Sequence, residues 1–357
     1  MLAASINTAI PEAQPFKSLA SPANITTTEI DNSDAEKEET LPFTLPAAAY
    51  TSEQFLRVCR DKIFNKNWHF ITIVNSFDAN MKHNDREAVQ FNFIDNPFFG
   101  LCDVEDVYNV KDIHLYYGVY DEIMKGVETP EQKQEKLSTL KQVNHVVTPQ
   151  GLIFISHEEK PKQAMWDYYG NKLQPILEGN DFRKKRLRRR LTYECDYGFI
   201  TFIDGYQECL HCQYTHPAFN KVYPLEFYKV ETYENFCRQF GKTSVADQEE
   251  GLFLYFFPTC TLNCYGGGMG IFRCNPVDAN TCRMEFEYYF DEDGSEEEFL
   301  KYYNFARQVA IEDIELCVET QKNLKNGIYH RGILNPNKEN GVIYYQNLIK
   351  EKVLAKD

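Results

Sequence analysis

Residues 204–217 read Asp204-Gly205-Tyr206-Gln207-Glu208-Cys209-Leu210-His211-Cys212-Gln213-Tyr214-Thr215-His216-Pro217, placing two histidines, two carboxylates and two cysteines within fourteen residues. His211 and His216 stand five apart, with Glu208 three before the first. Two neutral imidazoles and one carboxylate, with coordination positions left open for O₂ and substrate, make the ligand set of non-haem Fe(II) oxygenases. The same spacing is met by ordinary hydrogen-bonded histidines, so the reading depends on whether the rest of the chain supplies a third ligand.

Glu312-Asp313 offers one. Ser295-Glu296-Glu297-Glu298 is a capping box whose acids suit the positive end of a helix dipole, and it predicts a helix of about thirty residues. Phe299, Tyr302, Tyr303, Ala306, Val309, Ala310, Ile314, Cys317 and Val318 recur as one apolar stripe that stops before Asn326-Gly327. Glu312 and Asp313 fall on or beside that stripe, where a carboxylate is costly to bury unless it is paired or metal-bound. A zinc site built from Cys209, Cys212, Cys260 and Cys264 is the chemical competitor, because C-x2-C and C-x3-C are both acceptable knuckles. It is weakened by His211 lying inside the first knuckle and by the apolar, strand-like run around Cys260 and Cys264.

The 357 residues are 43% apolar, enough for a substantial core, and carry a net charge of −15, which argues against a nucleic-acid partner. The exception is Phe182–Arg190, with seven basic residues in nine. An import signal or docking patch is one reading, and a solvated face that pairs with acidic surface is the favoured one. The eleven cysteines lack the spacing of a small disulfide framework and read as reduced thiols or ligands. No 18-residue apolar stretch and no secretory leader is evident, so no membrane partner and a cytoplasmic location are expected.

Along the chain, residues 1–45 read as a disordered arm rich in Ala, Ser, Thr, Pro and acids. Thr51-Ser52-Glu53-Gln54 caps a predicted helix through Phe55, Leu56, Cys59 and Ile63 that ends before Asn67-Trp68. Strands are predicted at Phe70–Val74, Ala88–Ile94, Phe98–Cys102, Gln142–Val147 and Leu152–Ser156, with an exposed helix from Pro130 inserted among them. Later strands are predicted at Phe227-Tyr228, Leu252–Phe257, Thr261–Cys264, Met269–Cys274 and Arg283–Phe290. In the last, Met284, Phe286 and Tyr288 alternate with Arg283, Glu285 and Glu287, predicting a sheet with one wet face.

The string Asp204–Cys212 with Thr215-His216-Pro217 resembles the D/N-N-Y-x-E-C-Y-H-C…T-H-P signature of Rieske-type non-haem iron oxygenase alpha subunits, in the choline monooxygenase-like branch. Tyr228-Lys229-Val230-Glu231, Arg307–Cys317, Gln321–Leu324 and Glu339-Asn340-Gly341 with Gln346 extend the resemblance over about residues 195–350. It implies an α+β fold: a β-rich Rieske-like module over 46–160, then a catalytic mononuclear iron domain over 161–357 of the helix-grip type, an antiparallel sheet with a long carboxyl-terminal helix.

Residue by residue, the resemblance implies His211, His216 and Asp313 as ligands to a mononuclear Fe(II). Glu208 takes the place of the bridging acid that receives electrons from a neighbouring cluster, and Asp204 the family's Asn or Asp position near the iron. The sequence departs from the family in its first module. A Rieske 2Fe-2S cluster needs two Cys and two His, and before residue 190 the only cysteines are Cys59 and Cys102, neither in a C-x-H or C-x-x-H arrangement. The module reads as degenerate, with Asp103–Lys141 replacing the cluster loops.

The implied function is a monooxygenase that oxidises a small, quaternary or methylated amine with O₂ and electrons from a reductase or a cluster-bearing subunit, in a homo- or hetero-oligomer, a trimer by family resemblance. Aromatic faces hold such cations, and Tyr206, Tyr255, Phe257 and Tyr288 are the pocket candidates. The alternative is a catalytically silent paralogue that serves as a binding or regulatory subunit.

Overall fold

The alternation of Arg283–Phe290 becomes the centre of a large antiparallel sheet. The computed structural model describes residues 42–77, 88–94, 96–104, 110–243 and 250–355, all within one compact unit, Leu41–Asp357. The arm expected over 1–45 lies almost wholly outside the described residues. The fold mixes helices and sheets, as expected.

In the first half, β1 (Trp68–Ile73), β2 (Val89–Phe93), β3 (Asn96–Val104), β4 (Val110–Tyr117), β5 (Asn144–Val147) and β6 (Leu152–Ser156) form two three-stranded antiparallel sheets, ordered β1-β6-β5 and β2-β3-β4. The strand β4 falls where the sequence suggested only replaced loops. The helix Glu53–Cys59 is capped by Ser52, whose hydroxyl accepts from Phe55 N at 3.2 Å, and the helix Pro130–Ser138 carries a Thr129/Gln132 capping box.

In the second half, β7 (Lys185–Cys195), β8 (Lys229–Thr232), β9 (Phe236–Gly241), β10 (Gly251–Phe256), β11 (Cys260–Tyr265), β12 (Gly268–Pro276) and β13 (Cys282–Asp291) form one sheet in the order β7-β13-β12-β11-β10-β9-β8. Phe227-Tyr228 is not a strand: the chain makes a tight 3₁₀ turn at Leu225–Phe227 after Pro224, and pairing starts only at Lys229. The strand β9 has no clean alternation, which hid it.

The basic run forms a short 3₁₀ turn at Phe182–Lys184 and the first part of β7, and it pairs with acids as the favoured reading requires. Lys185 meets Asp291 at 2.9 Å, Arg186 meets Glu292 at 3.3 Å, and Arg189 meets Glu296 at 3.1 Å. The expected wet face of β13 is part-exposed at Arg283 and Glu285 and dry at Glu287. Glu287 is only 1% exposed because the first-half sheet covers it: Thr72 on β1 donates to it at 2.6 Å, Tyr289 at 2.7 Å and Arg190 at 3.0 Å, while Arg273 lies 3.4 Å away. Arg273 also donates to Ile71 O at 2.7 Å, so one buried ion pair ties the two halves together. Phe70 and Phe154 close the same junction on Phe256, with ring centroids 4.7 and 5.5 Å apart.

The long helix runs Glu296–Lys325, thirty residues, with the Ser295/Glu298 capping box in place. Its stripe buries Phe299, Tyr302, Ala306, Ala310, Cys317 and Leu324. Buried Gln321 accepts from Thr201 Oγ1 at 2.6 Å and Gly198 N at 3.2 Å, and so fastens the long helix to the helix Phe199–Tyr206 that leads into the histidine motif. Gly198 is needed where it stands, since a Cβ would collide with Ala279 O. A last helix, Asn340–Leu354, packs behind. Among the described residues no helix is long and apolar enough to cross a membrane.

Candidate metal centre

The histidine motif is a broken helix. Cys212–Thr215 makes one turn, and Pro217 opens the next helix, Pro217–Val222, at its first position. A proline there cannot continue the preceding turn and pushes the residue before it out of the helical region, so His216 sits at φ −118°, ψ 64°. The break brings His216 back beside His211, one turn earlier, and both face the long helix at Asp313.

The three side chains converge. His211 Nε2 lies 3.2 Å from His216 Nε2 and 3.4 Å from Asp313 Oδ1, and His216 Nε2 lies 2.8 Å from Asp313 Oδ1. With metal–ligand bonds of about 2.1 Å, three ligands on one face of an octahedron stand about 3.0 Å apart, so these spacings fit a three-ligand face with the opposite positions open. Among the described residues this is the one group of three or more His, Cys, Asp or Glu side chains with ligand atoms within 4.8 Å of one another.

Each imidazole is backed by a carboxylate on its other nitrogen. Glu208 Oε1 bonds His211 Nδ1, and Glu312 Oε2 bonds His216 Nδ1 at 2.8 Å. Gln308 Nε2 in turn donates to Glu312 Oε1 at 3.0 Å. Carboxylates so placed fix the tautomer and direct both Nε2 lone pairs to the same point. Burial alone would lower the His211 pKa, but Asp313 and Glu208 outweigh it and push it up to about 10; burial alone would raise the Asp313 pKa, but His211 and His216 outweigh it and hold that acid below the ordinary carboxylate range. Three acids around two imidazoles leave an excess of negative charge that a divalent cation would neutralise.

Asp204 stands apart from this group. It accepts from Tyr50 OH at 2.6 Å, from Gln346 Nε2 at 2.7 Å and from Tyr345 OH, and burial pushes its pKa up to about 7. One pair of cysteines departs from the expectation of reduced thiols or ligands: Cys209 and Cys212 form a disulfide, while the other nine are free as expected. With both sulfurs of the first knuckle bonded to each other, the four-cysteine zinc site is not formed. The two halves of C-x2-C meet across a tight turn in which Cys212 N donates to Cys209 O at 3.2 Å, with Cα atoms 5.1 Å apart, close enough to pair locally.

A cavity opens onto Glu208, His211, His216 and Asp313. Tyr206 lines it, as expected. Tyr255, Phe257 and Tyr288 do not: all three are fully buried in the core, and the Tyr255 hydroxyl donates to Pro258 O at 2.7 Å. The lining residues are instead Phe253 and Phe286, two positions along the same strand faces, with Tyr265 and Phe272 from the neighbouring strands β11 and β12 and Phe202 and Phe219 from helices. Period-2 alternation identifies the face of a strand but not the depth along it at which a cavity starts. Glu312 was in view as an acid beside the stripe, yet its bond to His216 is legible only once the helix register against the motif is known.

Among the described residues the first half offers no comparable site. Cys59 is fully buried in the core, and Cys102, on β3, donates to Phe77 O at 3.6 Å. A 2Fe-2S cluster therefore does not fit the residues present.

Comparison with known proteins agrees with the resemblance. The sequence model described as the ring hydroxylating alpha subunit (catalytic domain) matches residues 238–355, the segment that holds Glu312 and Asp313. That segment is similar to the catalytic domain of the ring-hydroxylating oxygenase alpha subunits. The chain is 26% identical over 187 residues to the carnitine monooxygenase oxygenase subunit of Acinetobacter baumannii, covering 46% of this chain and 50% of that one. It is 26% identical over 156 residues to the chloroplastic choline monooxygenase of Arabidopsis thaliana, covering 41% of this chain and 36% of that one. The chain thus spans about half the length of the curated relatives it matches, or less. Its fold is that of a quaternary ammonium Rieske monooxygenase solved in connection with carnitine oxidation and inter-subunit electron transfer, with a TM-score of 0.70 over 87% of this chain and 96% of that one at 17% identity. The likeness in fold extends beyond the matched catalytic segment into the first half, where the cluster ligands are missing.

Proposed function

We propose that the protein is a mononuclear Fe(II)-dependent monooxygenase that oxidises a small quaternary or methylated amine with O₂ and externally supplied electrons. The observation that carries this reading is the face formed by His211 Nε2, His216 Nε2 and Asp313 Oδ1, each imidazole backed by a carboxylate and the whole open to an aromatic cavity. Fe(II) held there would supply the open coordination positions at which O₂ is activated.

The chain's own residues do the rest. Glu208 and Glu312 hold protons on the two Nδ1 atoms and thereby keep the Nε2 atoms as ligands. The aromatic walls exclude water and hold an ammonium group by cation–π attraction, which fixes the methyl carbon near the ligands. Because no cluster fits the first half, the electrons must come from a reductase or a cluster-bearing subunit, and Glu208, beside His211 at the cavity, is the residue through which they would enter. The loss of cluster ligands also favours a second reading, a catalytically silent subunit of a hetero-oligomer.

Anaerobic reconstitution with Fe(II) separates the two. One iron per chain without sulfide, followed by O₂ consumption coupled to product from a methylated amine and an artificial reductant, is the expected result. Iron bound without turnover across the amine set supports the silent subunit, and no iron bound refutes the metal site.

A further inference from the structure

Of the eleven cysteines, Cys209 and Cys212 alone line the cavity at the metal ligands. Cys212 Sγ lies 3.9 Å from His211 Nε2, the atom that would bind the metal. The disulfide that joins the pair adds little to the fold. It links residues three apart, and so short a loop restricts the unfolded chain far less than a long one. The turn is also closed without it, since Cys212 N donates to Cys209 O at 3.2 Å and His216 N to Cys212 O at 3.0 Å. What such a pair can do is hold electrons. A dithiol gives up two electrons and two protons on closing to a disulfide. A monooxygenation draws the same two electrons and two protons from outside its substrate, and the first half of the chain has no cluster ligands through which to deliver them.

We propose that Cys209 and Cys212 are a two-electron donor built into the metal-ligand turn, oxidised to the observed disulfide and reduced again by a low-molecular-weight thiol. The inference rests on the iron monooxygenase reading above and adds a second electron route beside Glu208. In turnover, R–H, O₂ and two Cys–SH give R–OH, H₂O and Cys–S–S–Cys. The O–O bond and both S–H bonds break, the S–S bond forms, and the thiol hydrogens leave in the water. Without substrate, two Cys–SH and O₂ give the disulfide and H₂O₂. Reduction is thiol–disulfide exchange: a thiolate attacks one sulfur, a second thiol resolves the mixed disulfide, and two Cys–SH return as one external disulfide leaves. Cys209 and Cys212 are 5% and 6% exposed, too little for the face of a protein reductase, whereas the cavity they line admits a small thiol.

The test uses the full chain, reduced with dithiothreitol, desalted under nitrogen and loaded with Fe(II) or Zn(II), the metal per chain being counted first. On exposure to O₂ with neither substrate nor reductant, the iron form should lose two thiols per chain about tenfold or more faster than the zinc form. Peptide mapping should find the new link at Cys209 and Cys212, and Asp313→Ala given the same iron should react no faster than the zinc form. Glutathione should then restore both thiols. Equal rates in the iron and zinc forms, thiol loss spread over the other nine cysteines, or a pair that glutathione leaves oxidised in the folded protein would each overturn the proposal. Iron that binds only while the disulfide is intact would overturn it too, by giving the link a structural role. Product formed from a methylated amine and an artificial reductant, with no iron-dependent thiol loss, would leave the monooxygenase reading standing and sink this one. No metal bound in either form sinks both.

Discussion

Glu312 provides the most direct test of how the metal face is held. Its Oε2 sits 2.8 Å from His216 Nδ1 and its Oε1 accepts from Gln308 at 3.0 Å, so Glu312→Ala removes the side-chain acceptor on Nδ1 of that imidazole. Loss of a carboxylate behind a metal-ligating histidine costs about 10- to 100-fold in metal affinity, or about 1.4–2.8 kcal/mol. Glu312→Gln keeps an acceptor oxygen for Nδ1–H, so its loss should be nearer threefold than a hundredfold, a difference a merely structural role would not make. Anaerobic competition of Fe(II) against a chromophoric chelator gives the affinities, and circular dichroism checks that the fold survives. Wild-type affinity in Glu312→Ala, or a loss in Glu312→Gln as large as in the alanine variant, would refute the argument that Glu312 fixes His216 through its Nδ1 proton.

Asp313→Ala should abolish metal binding, whereas Glu208→Gln should keep the metal and slow reduction; the reverse pattern would show that Glu208 completes the triad. Arg273→Met leaves Glu287 buried with less compensation and should destabilise the protein by about 3–5 kcal/mol in denaturant titration. Burial would raise the Glu287 pKa, but Arg273 and Arg190 outweigh it and hold it at about 2, so Glu287 contributes about 3 kcal/mol above pH 4.5 that is lost as pH falls toward 2. Glu287→Gln should flatten that acid limb in melting curves. Asp204 has the opposite sign: its pKa of about 7 in the folded protein means that folding favours the protonated acid. Stability should therefore fall, by up to about 4 kcal/mol, as pH rises from about 4 to 7, and Asp204→Asn should remove that slope.

Local chemistry carried much of this protein in legible form. The Ser295/Glu298 cap, the apolar stripe behind it and the stop at Asn326 define a helix without outside help, and its 30 residues are found where the pattern puts them. Pro217 dictates the break that turns His216 back toward His211, and the acids opposite the basic run are visible in the composition of the chain. The absence of cluster-type Cys and His before residue 190 is likewise a property of the sequence alone. Tertiary structure decided what depends on how these pieces meet. Whether Glu312 or Asp313 turns to the histidines is set by the rotation of the long helix against the motif, and the structure uses both, Asp313 in the ligand face and Glu312 behind it. Glu287 reads as a wet-face residue because alternation reports only its own sheet; a second sheet, brought in by contacts more than two hundred residues apart, buries it. Tyr255 and Tyr288 share their strand faces with Phe253 and Phe286, and only the packing of those strands against the helices decides which rings reach the cavity and which remain core.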